Sequence, residues 1–136
     1  MASFAGEENA MKFMVTIYHD ENVLDAMPEK EMQALVDSAI EYADEIRRSG
    51  HYVVSNALQR TQTAQTIRVR AGKVSSTVGP FAETKEQLGG FFVIEAKDMD
   101  EACAVAARFP PARVAVIEVR PVQELKHSRD GRRLPS

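Results

Sequence analysis

Val78-Gly79-Pro80-Phe81-Ala82-Glu83-Thr84-Lys85-Glu86-Gln87-Leu88-Gly89-Gly90-Phe91-Phe92 packs a turn dipeptide, a run of charged and polar side chains, a glycine pair and an aromatic pair into one short stretch. Gly79-Pro80 sets a turn, because glycine reaches backbone that other residues avoid and proline fixes φ. A plain link between two strands needs only a few residues. This one is longer and chemically richer. Upstream, residues 65–70 and 73–77 flank Ala71-Gly72, the pattern of a hairpin. Downstream, residues 89–95 are centred on Phe91, Phe92, Val93 and Ile94 and read as a strand.

Working outward, residues 12–18 alternate. Phe13, Val15 and Ile17 point one way, Met14, Thr16 and Tyr18 the other, and neither side is strongly polar. Pro28 suits the first turn of a helix, and Glu29 and Glu31 favour its positive end. Met32, Leu35, Val36, Ala39, Ile40, Ala43 and Ile46 then recur at three- and four-residue steps. They predict one apolar stripe on a helix of about six turns. Arg47 and Arg48 sit at its negative end, and Gly50 stops it. Residues 52–58 read as a strand. Asp98 caps a second helix, with Glu101 as capping-box partner and Met99, Ala102, Cys103, Ala106 and Phe109 as its apolar side. Pro110 and Pro111 end that helix. Residues 114–119 form the last strand, stopped by Pro121.

The expected order is strand, helix, strand, hairpin, strand, helix, strand. This is an α+β, ferredoxin-like split βαβ with an added hairpin. Two helices cover one face of such a sheet, yet several strands are apolar on both sides. A second copy packing sheet to sheet is the economical cover, which predicts a homodimer. The interface should draw on Met14, Thr16, Tyr18, Phe92 and Ile94 or their opposite-parity neighbours. Sequence alone leaves the parity open.

The chain has 136 residues, 44% hydrophobic and 27% charged, with net charge −3. That is room for a single core and not for two full domains. No basic stripe suggests nucleic acid, and Arg129, Arg132 and Arg133 alone are a weak signal on an acidic chain. No apolar run is long enough to span a membrane. One cysteine, Cys103, rules out an intramolecular disulfide framework and fits a reducing cytoplasm. No histidine spacing resembles a metal site, and nothing implies a cofactor. Residues 1–10 read as a disordered leader, 11–122 as the domain and 123–136 as a flexible basic tail.

The opening stretch resembles the segment that names the DGPF domain of the YCII-related family. Residues 12–18, Ala57-Leu58-Gln59, 66–70 and 118–122 also resemble family landmarks. The resemblance implies the dimeric α/β-barrel fold. It also implies a pocket between sheet and loops and, in some members, a His–Asp pair proposed as catalytic. By resemblance the aspartate falls at Val78 and the histidine near Ala39. Valine cannot transfer a proton, so that dyad cannot operate here. The Ala82-Glu83-Thr84-Lys85-Glu86-Gln87 form of the loop further resembles proteins associated with extracytoplasmic-function sigma factors.

The residues themselves point to Tyr18, His19, Gly79, Phe81, Glu83 and Lys85 as a ligand-binding set. Glu83 and Lys85 could orient a small molecule, or form an ordinary solvated loop. Gly79 shapes the turn, and Phe81 is expected to plug the core. His19 titrates near neutrality, although Asp20 and Glu21 beside it also fit an exposed charged turn. Cys103 on an apolar helix side reads as a small buried residue. The leading expectation is a small cytoplasmic homodimer that binds a small molecule, with no nucleic-acid or membrane partner. The alternatives are a lyase- or hydrolase-type enzyme using Tyr18, His19 or Glu83, and an interaction partner in a sigma-factor-linked stress response.

Overall fold

The computed structural model describes residues 10–135 of the protein. The expected leader therefore lies outside the described residues except for Ala10. The main sheet is built from β1 (Met11–His19), β2 (Tyr52–Ala57), β5 (Gln87–Ala96) and β6 (Val116–Pro121), in the order β2-β5-β1-β6 with every pair antiparallel. A separate two-stranded sheet joins β3 (Gln65–Arg70) to β4 (Lys73–Val78). Among the described residues three α-helices accompany them: α1 (Glu21–Asp25), α2 (Glu29–Arg48) and α3 (Met99–Ala107). The connection from β1 through α2 to β2 straddles β5, and that from β5 through α3 to β6 straddles β1. The architecture is α+β.

Local chemistry accounts for most boundaries. Pro28 occupies the position just before α2, and Ser49 closes the helix, followed by Gly50 at φ +85°. The Asp98 carboxylate accepts from the Glu101 N–H, and the Glu101 carboxylate accepts from the Lys97 N–H, one residue earlier than a standard capping box. Glu101 also meets His51 Nε2 at 3.2 Å while Ser49 Oγ meets His51 Nδ1 at 2.7 Å, tying the end of α2 to the start of α3. The short α1 was not expected; the Asp20 side chain accepts from the Asn22 N–H and starts it. The last strand begins two residues later than expected, because residues 110–114 form a 3-10 turn. Pro121 ends it from within, paired with Phe13, as an edge strand allows.

Phe13, Val15, Phe92, Ile94 and Ala96 of the sheet pack against Tyr42 and Ile46 of α2 and against Ala102, Val105 and Ala106 of α3. Two helix expectations need correction. On α2 the buried seam is Leu35, Tyr42 and Ile46, with Ala39 between them, while Val36 and Ile40 stay exposed. The apolar stripe is wider than the contact it makes. Tyr42 is drawn in because its hydroxyl donates to the Val105 carbonyl on α3. Burial raises the Tyr42 pKa above its ordinary value, with Glu45 adding and Arg108 opposing. On α3 the seam is Ala102, Val105 and Ala106, and Cys103, a third of a turn away, is exposed rather than buried.

The register settles the parity of the sheet. Phe13 and Val15 face the helices with Phe92 and Ile94, whereas Met14 pairs with Val93 and Thr16 with Phe91 on the opposite face. Phe92 and Ile94 therefore belong to the core and not to the open face shared by Met14, Thr16 and Tyr18.

The β3–β4 hairpin is two-faced. Ile67, Val69, Val74 and Val78 lie in one row, each 55–75% exposed. Arg68, Arg70 and Lys73 lie in the other. Ala71 and Gly72 make the turn with φ of +51° and +75°. In the tail, Lys126 bridges Arg133, and the His127 N–H donates to the Arg132 carbonyl.

Candidate functional site

A cavity of about 550 Å³ opens between α2 and the β2–β5 side of the sheet. It exists because the facing positions are small. Ala39 and Ala43 line it from the helix, and Ser55, Ala57, Gly89 and Gly90 from the strands. The rest of its wall is largely apolar: Ile17, Leu24, Leu35, Val36, Ile40 and Ile46, with Tyr42, Tyr52, Phe92 and Phe109. Phe109 packs tilted on Phe92 with centroids 5.3 Å apart and on Tyr42 at 6.1 Å. The volume falls within the usual range for a small-molecule site.

Polar groups gather at two places. At one, the Tyr52 hydroxyl meets Ser55 Oγ at 2.8 Å, and the Arg47 guanidinium lies 4.6 Å from the centre of the Tyr52 ring. Arg47 is also paired with Asp44 at 3.3 Å. At the other stands His19. The pairing of β1 with β5 shifts between Ile17 and Tyr18, leaving Gly89 as an extra residue. The His19 ring lies over it: a Cβ on Gly89 would sit 2.0 Å from His19 Nε2. Any side chain at that position would push the His19 ring aside.

The segment that follows His19 is held by its surroundings. The Glu21 carboxylate accepts from Thr61 N–H and Oγ1, and Arg60 Nε donates to Asp25 at 3.0 Å, so α1 is fastened to the segment after β2. Burial pushes the His19 pKa below its ordinary value; Arg60 lowers it further and Glu21 opposes. Among the described residues the ring makes no hydrogen bond, which leaves a neutral imidazole available at the cavity wall.

Residues 11–126 match the family model of the YCII-related domain. The chain belongs to the YCII-related family. It is also 33% identical over 114 residues to an uncharacterized protein of Rhizobium meliloti (strain 1021), a match covering 82% of this chain and 92% of that one.

In this YCII-related chain the six residues singled out from sequence are not all brought together. His19 lines the cavity, whereas Tyr18, Gly79, Phe81, Glu83 and Lys85 are not part of its wall. Phe81 does not plug the core: it is 79% exposed, with the Arg68 guanidinium 5.6 Å from its ring centre. Glu83 and Lys85 are exposed. Gln87 fixes their loop by donating to the carbonyls of Ala82 and Thr84. Of the two positions tied to the family's proposed dyad, Ala39 lines the cavity, while Val78 is 75% exposed at the end of β4.

Sequence reasoning missed Tyr52, Ser55 and the glycine pair as cavity residues. The available signal was Gly89-Gly90 at a strand start, since adjacent glycines there mark a bulge or a close approach. Among the described residues no cluster of His, Cys, Asp or Glu could hold a metal, and no helix is long and apolar enough to cross a membrane.

Proposed function

We propose that this YCII-related protein binds a small, largely apolar molecule in the cavity between α2 and the sheet, acting as a cytoplasmic homodimer. The cavity carries the binding reading: about 550 Å³ bounded by small residues, with His19 at its wall. Close packing is the norm in protein interiors, so an apolar space of this size favours an occupant. The strand order β2-β5-β1-β6 is that of a ferredoxin-like sheet. Its open face carries Met14, Phe91 and Val93, which supports a second copy packing there to form a dimeric α/β barrel. A reducing compartment suits the single exposed Cys103.

The test is a titration with N-phenyl-1-naphthylamine, an uncharged dye that brightens in apolar sites. Saturable binding is expected, weakened about tenfold or more by Ala39→Phe, which fills the space from the helix side. Absence of saturable binding, or equal binding by a folded Ala39→Phe variant, would sink the reading.

A further inference from the structure

We propose that the cavity is built for an uncharged aromatic molecule of two or three rings bearing one hydroxyl or carbonyl group, which hydrogen-bonds the His19 imidazole. This rests on the cavity reading and adds the chemical class of the occupant.

Size comes first. A cavity of about 150 Å³ takes one benzene, so 550 Å³ accommodates a bicyclic or tricyclic body. The wall favours rings: Tyr42, Tyr52, Phe91, Phe92 and Phe109 line the space, five of the chain's nine aromatic residues. Phe109 packs tilted against Tyr42 and Phe92, with 59° and 47° between the ring planes, an arrangement that a further ring can join.

Charge decides against an ion. The charged groups at the rim are already matched: Arg47 with Asp44, and Arg60, beside His19, with Asp25. A ligand carboxylate or ammonium would lose water without gaining a free counter-charge. The remaining polar groups differ in availability. The hydroxyls of Tyr52 and Ser55 bond each other. The His19 ring has no hydrogen-bond partner among the described residues, and it lies against the bare backbone of Gly89. His19 is half-buried, with its unpaired ring nitrogens still within reach of solvent, so a ligand hydroxyl or carbonyl would take the place of water there. Kept neutral by its surroundings, the imidazole can donate from one nitrogen or accept at the other, and so can serve either a carbonyl or a hydroxyl.

Naphthalene, 2-naphthol and 2-naphthoate displacing the bound dye from the full chain separate the terms. Naphthalene should bind through the apolar wall alone. 2-Naphthol should bind about tenfold more tightly, the worth of one well-placed hydrogen bond, and 2-naphthoate about tenfold more weakly than 2-naphthol. His19→Leu should erase the advantage of 2-naphthol over naphthalene, and His19→Gln should restore part of it. The proposal is overturned if 2-naphthoate matches 2-naphthol, or if His19→Leu leaves the preference unchanged, even though naphthalene binds. Failure of all three compounds to displace the dye, or of the dye to bind at all, overturns the cavity reading itself and this proposal with it.

Discussion

At the scale of single residues, Gly89 and His19 form one unit. The bulge that frees Gly89 from pairing is also what lets the imidazole lie across the strand. The lowered pKa of His19 has a direct consequence for stability. Its neutral form is favoured in the folded chain, by burial first and by Arg60 second, against Glu21. Its contribution is therefore fully present above the unfolded-state value of about 6.5 and is lost as pH falls through the lower folded value. Melting temperature is expected to drop as pH is taken from 7 toward 5, with a smaller drop for His19→Leu. Identical pH profiles for the two proteins would contradict this account.

Among the elements, the β3–β4 hairpin stands apart. It is a two-stranded sheet with an exposed apolar row, and such ribbons are only marginally stable alone. Its turn is also imperfect. Ala71 holds φ +51°, where a residue with a Cβ is strained by about 1–2 kcal/mol, while Gly72 at +75° is at ease. Asn-Gly is the favoured pair for a turn with two positive φ values. Ala71→Asn is therefore expected to slow amide exchange in the hairpin about fivefold, the equivalent of about 1 kcal/mol. Unchanged exchange at Val69 and Val74 would show that the turn does not limit hairpin stability. The hairpin and its loop were legible from Ala71-Gly72 and Gly79-Pro80, because turn chemistry is local. The position of Phe81 was not, because only the fold shows that its loop lies off the core.

Across the whole molecule, two apolar surfaces are left uncovered among the described residues: the open sheet face and the hairpin row. Charge is uneven as well. The hairpin holds Arg68, Arg70 and Lys73 and no acid, which leaves the rest of the chain at −6 against a total of −3. A basic arm and an acidic body complement each other between copies, which adds to the apolar argument for self-association. Light scattering at micromolar concentration is expected to report twice the 15.1 kDa of one chain. A mass of 15.1 kDa would remove the homodimer.

What the sequence determined by itself was the order and type of the strands and the two longer helices, together with the family. Alternation, capping residues and turn pairs act over a few neighbours, so they can be read in one dimension. Tertiary structure decided the rest. It chose which parity of β1 and β5 faces the helices, placed Val36 and Ile40 outside the seam, and exposed Cys103 and Phe81. It also assembled the cavity. That space depends on small residues from α2, β2 and β5 meeting across a helix–sheet contact, and on His19 crossing Gly89. Shape complementarity between distant segments leaves no periodic trace, so only the folded chain could show it.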